Sequence, residues 1–410
     1  MSQLGLDLAD PPGAARRKEV DAMKVLFCHP GSELYGSDRM AAATVKALAD
    51  AGHTVTVVLP ESGPLEQLLR SSGASGVHIL DLPVLRKALL RPLAFARLSL
   101  ALPLTLARCI RTLRRTQAEV LVTNTITQPW WILAAKALHL PSVVHVREAE
   151  ADIPVVAQRV LLAPLAFADH AIANSRATRD HVVLRGFRMQ HKISVVYNGK
   201  RWDPYFRSSF AGVSDQPHLV LVGRLNPRKG PDVAIRALSE LIAGGHDASL
   251  TLVGSIYPGY EWYRDELHVL AKELGLEDRV VFAGFQEDTA GFLERADIVL
   301  APSRSEPFGT IAAEGMAAER PVVVSDVQGL VEIVDRPSVG RVFSSEDSGA
   351  LARICADLIA SPEETVRMAK EGRRSVMERF SEERYDREMV AAIEGVRARS
   401  ALSNTREAQR

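Results

Sequence analysis

Residues Arg304–Pro321 read RSEPFGTIAAEGMAAERP, and this stretch says more about function than any other in the chain. An apolar run, Ile298–Ala301, precedes this stretch, and a second one, Val322–Val324, follows it. A strand, a glycine turn and a helix N-terminus make an anion site, because the first backbone N–H groups of a helix have no partner within it. Glu306 and Glu314 add acceptors for hydroxyl groups on either side, an arrangement that suits a sugar nucleotide. Read alone, their spacing also fits ordinary surface glutamates on an exposed helix.

A second motif lies upstream, where the apolar run Leu219–Val222 is followed by Gly223–Gly230, GRLNPRKG. The amphipathic run Pro231–Ala243 comes next. Arg224 and Lys229 therefore bracket a loop at the carboxyl end of a predicted strand, where α/β proteins bind ligands. The alternative is a basic, solvated loop.

The two motifs together resemble the retaining glycosyltransferases of family 4, which have the GT-B fold of two facing Rossmann-like domains. The resemblance implies that Glu306 bonds hydroxyls of a donor sugar and Glu314 the nucleotide ribose, while Arg224 and Lys229 contact the donor diphosphate. The resemblance also implies that the donor nucleotide and sugar are bound by Gly223, Gly284, Phe285, Pro307, Phe308, Gly309, Thr310 and Ile311. Ile193–Gly199, ISVVYNG, is similar to the end of the first domain in that family.

Apolar runs alternate with helical stretches along the chain and predict mainly parallel sheets with right-handed crossovers. The predicted strands are Lys24–Cys28, Thr54–Leu59, Val77–Leu80, Val120–Val122, Ser142–Val146, His170–Ala173, Ile193–Val196, Leu219–Val222, Ser249–Val253, Val280–Phe282, Ile298–Ala301, Val322–Val324 and Gly340–Phe343. We expect a disordered extension at 1–22, a first Rossmann-like domain on the acceptor side at 23–200, a donor domain at 201–385, and a C-terminal helix with a polar tail at 386–410. The fold class is α/β, with two doubly wound domains facing across a cleft.

The loop His29–Arg39 follows the first strand and precedes a helix. By resemblance its backbone at Gly36 and Ser37 approaches the donor phosphate and the acceptor; the alternative is a plain turn that uses the conformational freedom of Gly36. Neither G-x-G-x-x-G nor G-x-x-x-x-G-K-[ST] occurs in the chain, which argues against hydride transfer and ATP hydrolysis.

His145 and Arg147 share one face of the strand that begins after Pro141. Relatives often have a histidine near this point that touches the donor sugar or guides the acceptor, so we expect the two residues to act together in the cleft. The alternative for His145 is a hydrogen-bonded core residue.

Glu148, Glu150 and Asp152 alternate directly afterwards and raise the alternative of a metal site. The D-x-D motif of transferases with the other major fold is absent, and GT-B enzymes neutralise the diphosphate with cations and a helix dipole. We therefore expect a solvated acidic loop, no metal and no cofactor beyond the donor substrate, with Glu148 available as an acceptor-side base or binding group.

Composition is that of an ordinary globular protein of 410 residues, with 47% hydrophobic and 24% charged residues and a formal net charge of zero. Nothing in this balance indicates nucleic-acid binding. Cys28, Cys109 and Cys355 are scattered and indicate reduced thiols in a cytoplasmic protein. Residues 1–22 lack the apolar core of a signal peptide.

Residues 82–118 contain eight Arg or Lys residues, no acidic residue and many leucines. A basic amphipathic element of this kind lies on anionic membranes. We therefore expect contact with the inner face of the cell membrane, the alternative being a pair of amphipathic core helices interrupted at Pro92 and Pro103.

These observations predict a retaining glycosyltransferase that moves a sugar from a nucleoside diphosphate to a glycan or lipid-linked acceptor in polysaccharide or glycolipid biosynthesis. Two alternatives remain: a GT-B sugar-nucleotide epimerase or hydrolase, which would not depend on an acceptor, and a non-catalytic sugar-nucleotide binding protein, which would bind donor without turnover.

Overall fold

The computed structural model describes residues 21–85, 92–148, 153–186, 189–256 and 259–408. The extension predicted at 1–22 lies outside this range except for its last two residues. Each of the thirteen predicted strands is present, with ends within two residues of those expected. They are β1 Lys24–Cys28, β2 Thr54–Leu59, β3 Gly76–Ile79, β4 Val120–Asn124, β5 Ser142–Val146, β6 His170–Ala173, β7 Ile193–Val195, β8 His218–Val222, β9 Ser249–Val253, β10 Val280–Gly284, β11 Ile298–Ala301, β12 Val322–Ser325 and β13 Arg341–Phe343.

The strands form two parallel sheets, as predicted. The first has the order β3-β2-β1-β4-β5-β6-β7 and the second the order β10-β9-β8-β11-β12-β13. Most strands are buried along their length, β4, β5, β11 and β12 at every residue, because helices cover both faces of a parallel sheet. The α/β class with two doubly wound domains is therefore confirmed.

Helices connect the strands. In the first domain they are α1 Gly36–Asp50, α2 Leu65–Ser71, α3 Pro92–Arg115, α4 Pro129–Ala137, α5 Val155–Leu162 and α6 Arg176–Arg185. After β7 follow α7 Pro231–Ala243, α8 Glu261–Glu273, α9 Ala290–Arg295, α10 Thr310–Ala317, α11 Leu330–Ile333, α12 Ser348–Ala360, α13 Pro362–Arg379 and α14 Glu382–Ala408.

The last helix, α14, returns to the first domain. Tyr385, Met389, Ile393 and Val396 of this helix are buried in the same core as α1 and β1. The chain therefore crosses between the domains twice, and the two crossings touch: a Cβ on Gly199 would lie 2.2 Å from the carbonyl oxygen of Ser381.

Each sheet has one point where the strand order reverses, between β1 and β4 in the first and between β8 and β11 in the second. Ligands of open α/β sheets bind outside the carboxyl ends of the strands at such a point. The loops after β8 and β11 are the two motif-bearing loops of the sequence. The loops after β1 and β4 occupy the matching position in the first domain.

Candidate active site

The loops after β8 and β11 pack against each other through their backbones and are linked by hydrogen bonds of Arg304. Gly230 has a φ of 67°, and a Cβ there would lie 2.0 Å from the carbonyl oxygen of Pro302. The Arg304 guanidinium bonds both carboxylate oxygens of Asp232, at 2.7 and 2.9 Å, and the carbonyl oxygen of Pro227 at 2.6 Å. The loop that carries Lys229 is thereby held against the loop that carries Glu306.

The buried Glu306 forms an ion pair with the partly buried Lys229. Burial would raise the pKa of Glu306, but the charges of Lys229 and Arg228, the Lys229 hydrogen bond and the backbone N–H of Gly309 outweigh it and hold this pKa below its ordinary value. The carboxylate is therefore ionised and can only accept hydrogen bonds, which suits a partner rich in hydroxyl groups. Gln328 fixes the turn, because its Oε1 accepts the backbone N–H of Glu306 at 2.7 Å.

The Pro-Phe-Gly turn places backbone, not side chains, at the start of α10. Phe308 is buried and packs edge-on against Phe380, with ring centroids 5.6 Å apart. Pro307 and Ile311 are also buried, whereas Thr310 is partly exposed. Gly309 has a φ of 100° and precedes the helix, where a Cβ would lie 2.5 Å from Leu330 Cδ2. The first N–H groups of α10 therefore supply a positive end beside Glu306.

Glu314 lies one turn further along α10 and already has two partners. Its Oε1 accepts a hydrogen bond from Lys200 Nζ at 2.5 Å and from the Tyr205 hydroxyl at 3.0 Å. Lys200 Nζ also lies 4.4 Å from the centroid of the Tyr205 ring and 5.3 Å from that of Trp202. These residues directly follow the Asn-Gly that ends the first domain, so they connect Glu314 to the crossing between domains.

The remaining donor-side positions predicted in the second domain lie at the carboxyl ends of its strands. Gly223 directly follows β8, and its carbonyl oxygen packs against Gly254, which follows β9. Gly284 ends β10 with a φ of 66°, and the side chain of Phe285 is 62% exposed. An aromatic ring this exposed beside the cleft is free to contact a planar group.

Across the cleft, the first domain touches the donor loops through one aromatic ring. The Arg224 guanidinium carbon lies 3.2 Å from the centroid of the Tyr35 ring. Gly36 and Ser37 follow Tyr35 at the start of α1, and both are exposed. The structure therefore brings these predicted first-domain residues next to the Arg224 loop.

His145 and Arg147 are brought together in a buried polar network. Arg147 donates to Asn124 Oδ1 at 2.8 Å, to Asn198 Oδ1 at 3.1 Å and to His145 Nδ1 at 3.2 Å. Asn124 in turn bonds His29 Nδ1 at 2.8 Å. His29 Nε2 bonds Asp38 at 2.8 Å, which continues the network to the start of α1.

The His145 ring is neutral, because burial and the Arg147 charge hold its pKa well below the ordinary value. Its Nδ1 accepts from Arg147, so the ring proton is on Nε2. In the described part of the chain this Nε2 is buried and has no hydrogen-bond partner. A buried N–H donor without a partner is costly, which marks it as a candidate ligand contact.

Glu148, the residue after Arg147, has a raised pKa. Burial raises its pKa to about 7, although the backbone N–H groups of Arg147 and Ile126 lower it in part. Thr125, whose hydroxyl also bonds this carboxyl group, has a φ of 96°. Such a backbone conformation is strained for a β-branched residue, and strained residues cluster at functional sites.

A metal site is not seen. Within the described ranges, no group of three or more His, Cys, Asp or Glu side chains is placed to hold a metal ion. Glu150 and Asp152, two members of the acidic alternation, lie outside those ranges. The metal-free donor site therefore stays a prediction.

The basic segment 82–118 is mostly the helix α3. Its exposed side chains follow one stripe that begins with Leu100 and Leu104 and ends with Arg111, Arg114 and Arg115. The opposite stripe, with Cys109 and Leu113, is buried against β4 and α4. Arg86, Lys87 and Arg91 lie outside the described residues. Over the part of the chain that the structure covers, no helix is long and apolar enough to cross a membrane.

Sequence reasoning assigned no role to Tyr35, His29, Asp38, Asn124, Lys200, Arg304 and Gln328. For His29 and Asn124 a signal was present, since each is a polar residue at the carboxyl end of an apolar strand. The contacts of Lys200 with Glu314 and of Gln328 with Glu306 join positions 22 or more residues apart, and nothing in their local sequence indicates them.

Comparison with known proteins agrees with this geometry. The family model for glycosyl transferases group 1 matches residues 206–375, and the model for glycosyltransferase family 4 matches residues 35–200. Because the two models together match most of the chain, it belongs to the glycosyltransferases that they describe. Among solved structures, Anabaena HepE in complex with UDP and glucose superposes with a TM-score of 0.76 at 25% identity, over 90% of this chain and 98% of that one. The GT-B fold of the family is therefore confirmed.

Curated relatives of this glycosyltransferase match over shorter stretches. A D-inositol 3-phosphate glycosyltransferase of Streptomyces avermitilis is 30% identical over 261 residues, which are 59% of this chain and 56% of that protein. A lipopolysaccharide core biosynthesis mannosyltransferase of Rhizobium leguminosarum bv. viciae is 32% identical over 168 residues, 41% of this chain and 48% of that protein. The chain thus spans about half the length of the curated relatives it matches.

Proposed function

We propose that this glycosyltransferase retains the anomeric configuration of its donor and transfers a hexose from a nucleoside diphosphate to a glycan or lipid-linked acceptor. The observation that carries the proposal is the ionised Glu306 paired with Lys229 beside the N-terminus of α10. That site combines an acceptor for sugar hydroxyls with cations for a diphosphate. The UDP and glucose bound by the HepE structure belong to the same ligand classes.

The second-domain site favours breakage of the sugar–phosphate bond. Arg224 and Lys229 supply positive charge where the departing diphosphate gains negative charge, and α10 adds the positive end of its dipole. In the front-face substitution that the family resemblance implies, the acceptor oxygen bonds the anomeric carbon from the side the phosphate leaves. The departing phosphate oxygen takes the acceptor proton, so no separate base is required.

On the first-domain side, His145 and Glu148 are the proposed acceptor-facing groups. The unpartnered Nε2–H of His145 is suited to donate to a sugar or acceptor oxygen. Arg147 holds the His145 ring through Nδ1 and is itself anchored by two asparagines. Because Tyr385 also bonds the Arg147 side chain, its donors are occupied, and we assign it the role of fixing His145 and not of binding phosphate.

The acceptor class is proposed from the relatives and from α3. One relative acts in lipopolysaccharide core biosynthesis by its name. The outward stripe of α3 carries leucines at one end and arginines at the other, which suits the headgroup region of an anionic bilayer. We propose a cytoplasmic enzyme that reaches its acceptor at the inner face of the membrane.

Binding measurements on two glutamate variants test the donor site. UDP with UDP-glucose and GDP with GDP-mannose are titrated calorimetrically. Glu314→Ala should weaken the binding of the free nucleoside diphosphate and of its sugar-bearing form alike, because Glu314 is assigned to the ribose. Glu306→Ala should weaken only the sugar-bearing donor, since its loss removes a hydroxyl acceptor and leaves Lys229 to the diphosphate.

Glu277→Ala, which changes an exposed carboxylate on the loop after α8, is the control and should leave both affinities unchanged. Equal losses for the nucleotide and the donor in Glu306→Ala would contradict its sugar role. Failure of the unaltered protein to bind either pair would contradict a donor of this class.

A further inference from the structure

We infer that Tyr35 is a positioning residue that orients Arg224 for the donor diphosphate across the contact between the two domains. The inference rests on the proposed function, because it assigns Arg224 to that diphosphate. Tyr35 belongs to the loop between β1 and α1, and Arg224 to the loop after β8. Their stack is therefore a contact between domains.

The geometry of the stack leaves Arg224 able to bind phosphate. Its guanidinium carbon lies 3.2 Å from the Tyr35 ring centroid, so the ring covers a face of the planar group. The N–H donors of a guanidinium point outward in its plane, and a ring on the face does not block them.

The Tyr35 backbone is held firmly enough to position a partner. Its N–H bonds Asp38 Oδ2 at 2.9 Å, and its carbonyl oxygen accepts the N–H groups of Asp38 and Arg39 at 3.0 and 2.9 Å. Asp38 is itself buried and bonded to His29. The ring thus projects from the rigid start of α1, which the buried network ties to the first sheet.

The Arg224 backbone is equally constrained on its own side. The next residue, Leu225, donates to the Ser255 carbonyl oxygen at 2.9 Å, and Gly254 packs against Gly223. The main chain on both sides is fixed, but the long Arg224 side chain has many rotamers of its own. The contact with the Tyr35 ring favours one of these rotamers in the arrangement that the structure shows.

The test compares nucleotides that differ in the group Arg224 is assigned to bind. UDP and UMP, with GDP and GMP in parallel, are titrated against the full chain and its variants. Tyr35→Ala should lower the affinity for the nucleoside diphosphate by about 3- to 30-fold, the range of a cation–π contact. The affinity for the nucleoside monophosphate should stay unchanged. Tyr35→Phe keeps the ring and should keep the affinity.

A double-mutant cycle and two controls make the test specific. In an Arg224→Ala background, Tyr35→Ala should have no further effect on diphosphate binding. Phe167→Ala removes a 48% exposed ring before β6, at the sheet edge away from the cleft, and should leave both nucleotide affinities unchanged. Glu332 on α11 accepts the backbone N–H groups of Arg176 and Ala177 in the first domain, so Glu332→Ala breaks a different contact between domains and should not reproduce the selective loss.

Equal weakening of UDP and UMP by Tyr35→Ala, or additive effects with Arg224→Ala, would overturn the inference while the proposed function stands. The same holds if Glu332→Ala reproduces the selective loss, because Tyr35 would then act only by holding the domains together. If Arg224→Ala itself leaves diphosphate affinity intact, the diphosphate assignment fails and the inference fails with it.

Discussion

At the scale of single residues, the Glu148 carboxyl group has a pKa well above its ordinary value. Burial raises its pKa from 4.5 to about 7. A carboxyl with a raised pKa favours the folded state fully below its unfolded pKa, and this contribution is lost as the pH rises through the folded pKa. The protein should therefore lose stability between about pH 4.5 and pH 7 through this one group.

Glu148→Gln should remove that pH dependence, because the amide stays neutral and keeps an oxygen for the Arg147 N–H. We expect the variant to match the unaltered protein at pH 5 and to exceed its free energy of unfolding by roughly 1 to 3 kcal/mol at pH 8. Thermal melting from pH 5 to pH 8 measures it, with Glu277→Gln as an exposed control. Parallel melting curves for Glu148→Gln and the unaltered protein would show that the pKa is not raised.

The family resemblance carried by the two motifs predicted that Glu306 and Lys229 share a site, and the structure pairs them where the carboxyl ends of β8 and β11 meet at the strand-order reversal. The partners that hold them were not predictable. Gln328 reaches Glu306 from the loop before α11, and Arg304 reaches Asp232 on α7. Such contacts depend on how loops pack in three dimensions, which no local pattern encodes.

At the scale of elements, strands were the most predictable part. Runs of valine, isoleucine and leucine bounded by polar residues fix a buried parallel strand, and each predicted run appears in its expected sheet. The segment 82–118 was harder, since basic amphipathic sequence fits both a membrane surface and a core helix. In the structure one stripe of α3 packs against β4 and α4, and the other faces outward.

If the outward stripe is a membrane surface, the protein should bind vesicles that contain anionic lipid and ignore neutral ones. Replacing Arg111, Arg114 and Arg115 with Gln should weaken that binding strongly, at ~1 kcal/mol for each cation. Binding should also fall as salt rises, because exposed charges are screened. Vesicle sedimentation at two salt concentrations measures both effects.

The matched control neutralises three exposed arginines of the second domain, Arg236, Arg353 and Arg374, and should leave vesicle binding unchanged. Nucleoside diphosphate affinity should be the same in both triple variants. Equal binding to anionic and neutral vesicles would instead make α3 a core helix with a solvated face and favour a soluble acceptor.

At the scale of the whole molecule, specific polar contacts join the two domains. Glu332 on α11 accepts the backbone N–H groups of Arg176 and Ala177 at 2.9 and 2.7 Å, which places a carboxylate at the positive end of α6. The Tyr197 hydroxyl adds a third bond to Glu332 at 2.7 Å. With the stack of Tyr35 on Arg224, these contacts hold the cleft in its present arrangement.

This arrangement between domains was the least predictable feature. The sequence indicated two domains and a joint near Asn198-Gly199, but not that α14 would pack beneath the first sheet. The signal is the spacing of Tyr385, Met389, Ile393 and Val396, which predicts an amphipathic helix without saying which core it covers. The helix covers the first-domain core because the chain crosses back to that domain beside Gly199, just before α14 begins.

The central claim is that the loops after β8 and β11 stabilise a departing nucleoside diphosphate. The most direct measurement is turnover of UDP-glucose and GDP-mannose, with membranes of the source cell as acceptor, by Arg224→Ala and Lys229→Ala. Both variants should fold, and each should lose roughly two orders of magnitude in kcat, as expected when a preorganised charge is removed. Arg236→Ala, an exposed cation on α7, should keep full activity. Near-native transfer by either Arg224→Ala or Lys229→Ala would contradict the claim.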